Sequence, residues 1–307
     1  PPAEGLIPMS ATTASRPGSA IPGPHKDPRI ARGLGARRRR LDNAIRLLCM
    51  GATLLGLVFL VSILVTLAWR GFTAINLATF TNVTRPPGSD GGLANAIVGS
   101  LIQVAIATVI GTPIGMLVGT YLAEYGKGSK LAGVVRFVSD VLLSAPSILV
   151  GLFVYQFAVL PFGGFSAWAG IIALAIIVIP IVVRTTEDML SLIPNTLREA
   201  VIGLGAPKWK MVVLICWRAA ASGIVTGVLL GIARIAGETA PLLFTSLGNS
   251  AWSTNLTQPM ASLPIAIYNF AGSPFPDWIA LAWSGALIIT LGVLGLNVLA
   301  RTVLRKK

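Results

Sequence analysis

The chain has 307 residues, 54% of them hydrophobic and 11% charged, with a mean hydropathy of +0.79. Soluble domains carry about a quarter charged residues, so this chain lacks the polar groups to cover a water-facing surface and is predicted to be an integral membrane protein. The net charge of +13 has an ordinary source in such a protein, because cytoplasmic loops collect Lys and Arg. No basic face is interleaved with aromatics, which sets nucleic-acid binding aside. The single His25 and the two cysteines, Cys49 and Cys216, are too few for a metal centre or a disulfide framework.

Residues 1–40 are rich in Pro, Gly, Ser, Ala and Arg, end in Arg37–Arg40 and carry no apolar periodicity. They read as a disordered basic tail preceding a membrane domain at 41–307. The apolar stretch from Leu47 to Trp69 is too long for a signal peptide and is followed by no small-residue cleavage site, so it reads as a retained first helix. Five more spans are predicted, over about 93–123, 141–160, 168–183, 219–247 and 278–303, each near the roughly twenty residues that cross a bilayer. The fold class is therefore an all-α polytopic membrane protein with six transmembrane helices.

Counting Lys and Arg between spans sets the orientation. Twenty-one fall in the tail, the stretches 124–140 and 184–218, and the C-terminus, against only Arg70 and Arg85 on the other side. Both termini and the long 184–218 loop are thus expected in the cytoplasm. The far-side stretch 248–277 holds no Lys or Arg but has Pro259, Pro264, Pro274 and Pro276 among apolar residues. It reads either as a surface-lying or re-entrant segment or as an ordinary ordered loop.

In the second span, Gly111, Gly115 and Gly119 recur every four residues around Pro113, a small-residue stripe suited to close helix packing. Asn95, Ser100, Gln103 and Thr108 of that span are candidates to line a polar path, or are polar residues tolerated in a bundle. Ser144-Ala145-Pro146-Ser147 places a breaker at the start of the third span, a candidate hinge.

The 184–218 loop predicts two short helices, one capped by Thr185 or Thr186 ahead of Glu187 and Asp188, the second by Asn195 or Thr196. Gly205 suits a left-handed C-terminal position, and Pro207 blocks continuation. In the fifth span Gly223, Gly227, Gly231, Arg234 and Glu238 fall at spacings that share one helical face. An Arg and a Glu one turn apart neutralise each other in lipid, either as a structural ion pair or as an anion site or gate on a translocation path. The nearest approach to a Walker A, Gly126-Lys127, has Tyr at 121 and Gly at 128, so no nucleotide motif is present. There is no nucleophile–base set and no metal-ligand cluster, so the chain does not read as an enzyme acting alone.

Glu199-Ala200-Val201, with Gly205 and Ile215 at fixed spacing beyond, resembles the EAA loop of ABC-importer permeases. In that family the loop forms a coupling helix seated in a cytosolic ATPase subunit, which implies coupling roles for Glu199, Ala200, Leu204, Gly205 and Pro207. The chain departs from the pattern at Val201, and at Trp217 and Arg218 in place of a Leu-Pro pair. The run Arg234-Ile235-Ala236-Gly237-Glu238-Thr239-Ala240-Pro241-Leu242 is similar to the corresponding segment of the PstA-type permeases of phosphate ABC importers. Arg198–Lys210 resembles their form of the EAA loop, and Tyr121–Tyr125 their second-span end.

The resemblance implies type I ABC-importer permease architecture in the cytoplasmic membrane of a prokaryote. It also implies a second homologous permease in a heterodimer, a cytosolic ATPase dimer using ATP and Mg, and an extracytoplasmic phosphate-binding protein, with no cofactor bound by this chain. Arg234 would offer phosphate a donor fork. Glu238, which only accepts, would take a hydrogen bond from P–OH and reject proton-free oxyanions such as sulfate. Thr239 would add a hydroxyl. Arg184 is a second contact or a positive-inside anchor. The alternatives are a permease for another oxyanion, such as sulfate or molybdate, and a secondary carrier driven by an ion gradient. The carrier predicts internal repeats or broken helices with midspan ion ligands, and no internal repeat is evident.

Overall fold

The computed structural model describes residues 28–305, all of whose regular structure is helical. Helix α1 runs Pro28–Ala74, α2 Leu77–Thr81 and α3 Ala94–Thr120, which widens into a π-helical turn at Tyr121–Tyr125. Next come α4 (Lys130–Ser144), α5 (Ser147–Val154) with a π turn at Tyr155–Val159, α6 (Ala167–Ser191), α7 (Asn195–Gly203) and α8 (Lys208–Lys210). A third π turn, Met211–Cys216, leads into α9 (Trp217–Ala236), followed by α10 (Ala240–Leu243), α11 (Leu263–Ala271) and α12 (Pro276–Arg305). The part of α1 up to Ser62 belongs to one compact unit and the chain from Ile63 onward to a second.

Five helical stretches are long and apolar enough to cross a membrane: Leu41–Ala74, Ala94–Tyr125, Ala167–Ser191, Lys208–Ala236 and Pro276–Val298. The expected third span is instead two helices, α4 and α5, bent by 106°, and counting the pair as one span gives six. Pro146 supplies the cause. It lacks an N–H and bars the preceding residue from helical backbone, and Ala145 is extended at φ −66, ψ 139. The expected tail is corrected in part. Residues 28–40 are helical, continuous with the span, because Ala, Leu and Arg favour helix and Pro28 is tolerated at a helix start. Residues 1–27 lie outside the described residues.

Helix α6 is the centre of the second unit, packing between α3 and α9, with Ile171, Ala173, Leu174, Val178 and Val182 fully buried. Both glycine stripes face it. A Cβ on Gly115 would lie 2.6 Å from Val182 Cβ, and one on Gly119 2.7 Å from Thr186 Cβ. From the other side a Cβ on Gly231 would lie 2.7 Å from Val178 Cγ2, while Gly111, Gly223 and Gly227 meet Val178, Met189 and Thr185. The hydrophobic effect does not drive helices together in lipid, so close backbone approach and dispersion contacts carry this packing.

Helix α11 lies on α12 and α3, with the Phe270 and Trp278 rings tilted against each other at 4.9 Å. Gly71 of α1 abuts Leu287, and Arg70 sits over the Trp283 ring at 5.3 Å. The 248–277 stretch is thus an ordered loop that leads into a packed short helix.

Gly115→Ala would overpack the α3–α6 contact and is expected to cost about 1–3 kcal/mol. Gly133→Ala, with open space around it in α4, should be neutral or stabilise by about 0.5–1 kcal/mol through helix propensity. Thermal unfolding of the two variants in one detergent should separate them in opposite directions.

Candidate functional site

The C-terminal ends of α3, through its π turn, and of α6 converge on one guanidinium, that of Arg198 in α7. Arg198 Nη2 donates to Glu124 Oε1 at 2.6 Å, and its Nε lies 3.0 and 3.2 Å from the two carboxylate oxygens. Nη2 also donates to the Leu190 carbonyl in the last turn of α6 at 2.7 Å, and Nη1 donates to the carbonyl of Ile193, two residues past the end of α6. The Arg198 side chain is 11% exposed and that of Glu124 3%. The hydrogen bond to Glu124 holds the Arg198 pKa above its ordinary value, so the guanidinium stays charged. Lys208 Nζ donates to the Glu124 carbonyl at 2.6 Å and lies 4.5 Å over the Tyr125 ring. Trp217 Nε1 donates to Thr120 Oγ1 at 3.1 Å. A second pair, Arg136 Nε to Glu187 Oε1 at 2.6 Å, ties α4 to α6, and Arg136 Nη2 reaches the Leu122 carbonyl at 3.1 Å.

Several details of the expected cytoplasmic loop differ. Thr185 and Thr186 lie inside α6, which runs on to Ser191, so the first short helix does not exist as a separate element. Neither Asn195 nor Thr196 is the cap of α7. Pro194 holds that position without a side-chain bond, and Asn195 Oδ1 accepts from Arg198 Nη1 at 3.4 Å. The fifth span begins at Lys208 rather than 219, which shortens the loop to 192–207. Gly205 has φ +80, and Pro207 precedes α8 instead of merely ending α7. No residue of α7 is fully buried. Glu199, Ala200, Ile202, Leu204 and Trp209 all face outward, Leu204 being 87% exposed.

At the other end, α9 stops at Ala236 with Gly237 as its C-cap, and Pro241 lies in the first turn of α10. The fifth span therefore ends well before 247, and Glu238 lies past the helix end rather than on its face. Arg234, in the last turn, still reaches it: Arg234 Nη2 is 3.6 Å from Glu238 Oε1, with side chains 50% and 13% exposed. Thr239, partly buried, precedes α10, whose Pro241 backs onto Gly151 of α5. Arg184 is distant in sequence from this pair and near the inner end of α6, where Asp188 (3.3 Å) and Asp140 (3.8 Å) flank its guanidinium.

Three of the four polar residues singled out in α3 hold the outer loop. Asn95 Nδ2 donates to the Asn249 and Ser250 carbonyls at 2.9 and 3.1 Å, and Gln103 Nε2 to that of Ala261 at 3.3 Å. Ser100 Oγ accepts from Leu263 N at 2.7 Å. Thr108 bonds within its own helix, to the Val104 carbonyl. Sequence reasoning did not single out Glu124, Arg136, Arg198 or Lys208 as interacting groups. The one available signal was an acid at the end of an apolar span. Its partner lies 74 residues away. Gln103→Leu should remove a buried bond worth about 1 kcal/mol, raising amide exchange across 258–263 about fivefold, while exchange in α7 stays unchanged.

Residues 111–307 match the family model described as "binding-protein-dependent transport system inner membrane component". The phosphate transport system permease protein PstA of Yersinia pestis is 56% identical over 273 residues, covering 89% of this chain and 92% of that protein. PstA of Pasteurella multocida (strain Pm70) is 55% identical over 88% of this chain and 96% of that protein. The probable PstA of Methanocaldococcus jannaschii is 35% identical over 87% and 95%. Among solved structures, an inward-facing conformation of the MetNI methionine ABC transporter aligns with a TM-score of 0.60 at 18% identity, over 70% of this chain and 95% of that chain, a likeness of fold alone. The chain belongs to the PstA family of phosphate transport system permease proteins, within the binding-protein-dependent transport system inner membrane components.

Proposed function

We propose that this chain is a membrane-spanning subunit of an ATP-driven importer and carries inorganic phosphate across the cytoplasmic membrane, with both termini and α7 on the inner side. The observation that carries the reading is relatedness over nearly the whole chain to phosphate permeases. The half-exposed Arg234 beside the partly buried Glu238 supports it. An arginine half-exposed near the end of an apolar span is costly in lipid and belongs to a cavity or pathway. The pair is loose at 3.6 Å, which leaves guanidinium donors for a phosphate oxygen. Glu238 would accept from a P–OH, and Thr239 would add a hydroxyl beside it. Arg184, flanked by two acids, is the weaker contact of the four.

The subunit hydrolyses nothing itself. ATP and Mg are used by a cytosolic ATPase dimer docked on the outward face of α7, on Glu199, Ala200, Leu204 and the turn at Gly205 and Pro207. A second, homologous permease completes the pathway, and an extracytoplasmic phosphate-binding protein delivers the anion. ATP-driven closure of the ATPases displaces α7 and switches the spans between inward- and outward-facing states.

Uptake of radiolabelled phosphate into proteoliposomes holding the full complex tests this. Uptake should require ATP and the binding protein, and Arg234→Ala should lower it at least tenfold, about 1.4 kcal/mol of lost interaction. Glu238→Gln should weaken discrimination against sulfate. Uptake that follows an ion gradient without ATP would overturn the reading. An unaltered phosphate-to-sulfate preference in Glu238→Gln would remove Glu238 from the site.

A further inference from the structure

The coupling helix is attached to the spans in an unusual way. It buries no residue of its own, and its apolar contact with the inner cluster around Leu190, Met211 and Cys216 comes from the partly buried Val201. Arg198 supplies the polar attachment, reaching Glu124 on the end of the second span and the Leu190 and Ile193 carbonyls at the end of α6. Lys208, at the start of the next span, returns to the same residue through the Glu124 carbonyl. Both flanks of the cytoplasmic loop therefore close on position 124.

Three physical features set this cluster apart from a surface ion pair. The two side chains are 11% and 3% exposed, so salt and water screen them little. A guanidinium is planar and offers five donors in a fixed fork, and here one guanidinium spans three helices, where an ammonium would reach fewer acceptors with less angular constraint. Glu124 also sits in a π-helical turn, and Lys208 begins the three-residue α8 that leads directly into another, Met211–Cys216. Such turns interrupt regular helix at points that recur in functional regions. The turns mark where the two spans can change direction, while the charges fix what moves with what.

From this geometry we infer that Arg198 and Glu124 are positioning residues for transport: they lock α7 to the inner ends of α3 and α6, so that displacement of α7 by the ATPase is delivered to the spans rather than lost in the loop. The inference rests on the proposed function above and adds the element that transmits the stroke. Neither residue is among the proposed phosphate contacts, Arg234, Glu238, Thr239 and Arg184, or on the proposed ATPase-docking face of α7. Their loss should therefore separate two quantities that move together in the native complex, ATP hydrolysed and phosphate moved.

The test uses the full complex in proteoliposomes, with Arg198→Ala, Arg198→Lys, Glu124→Ala and Glu124→Gln. Assembly with the ATPase is checked by co-purification, and ATP hydrolysis and phosphate uptake are read in the same vesicles. In assembled Arg198→Ala and Glu124→Ala complexes hydrolysis should persist while phosphate moved per ATP falls about tenfold, within the usual range for coupling between sites. Arg198→Lys, which keeps the charge but not the fork, should fall between Ala and wild type. A ratio equal to wild type in the assembled variants would overturn the inference. Should the alanine variants fail to assemble, Arg198→Lys and Glu124→Gln decide by the same ratio. Absence of ATP-driven phosphate uptake in the wild-type complex would instead strike the proposed function.

Discussion

The rest of the structure depends on the close approach of α3 and α9 to the two sides of α6. Gly111 and Gly231 both meet Val178, one from each side, so a single valine is held between two glycine-faced helices. In lipid, such backbone-close packing replaces the hydrophobic drive that assembles soluble bundles. It makes α6 a stiff central post, the most buried of the candidate spans. Each end of the post is tied to a different piece of machinery. At its N-terminal end, Ser166, Ala167 and Trp168 donate their backbone N–H groups to carbonyls of Thr245, Gln258 and Leu256 in the loop after α10. At its C-terminal end, the carbonyls of Leu190 and Ile193 accept from Arg198.

The half of the bundle at the start of α6 and the end of α9 is built from interrupted helix: Gly237 ends α9, and the chain then passes through α10 and a loop before α11. Non-helical backbone at such depth survives only where other groups satisfy it, and Asn95, Ser100 and Gln103 of α3 do this for the loop. The Arg234–Glu238 pair sits at the edge of this irregular region, where the regular helix of α9 gives way at Gly237. The glycine stripe of α9 and its charges thus serve two ends of one helix, rigid packing below and an open, charged terminus above.

Composition and charge in the sequence were enough for the membrane class, the number of spans and the glycine stripes, because each rests on local periodicity or on residue type. Pro146 also announced its break, since a proline acts through its own ring on the residue beside it. The ends of α6 and α9 were less legible. Apolar runs do not mark where a helix stops at a membrane surface, and α6 carries on through Arg184, Glu187 and Asp188 because those charges find partners on α4 and α6 itself. For Glu238, helical spacing put it on the face of α9, whereas Gly237 ends the helix one residue earlier. The Arg198–Glu124 cluster was out of reach, since its members are 74 residues apart and meet only through the packing of α3 on α6.

The central claim is mechanical: α7 and the inner ends of α3 and α6 travel as one body, while the outer ends move relative to them. Spin labels at Thr196 of α7 and Lys127, both exposed, report the inner distance, and labels at Thr196 and Arg85 the distance across the spans. Measured by pulsed dipolar spectroscopy in the assembled complex before and after trapping with ATP and the binding protein, the first distance should stay constant and the second should change. A first distance that shifts as much as the second would contradict the account.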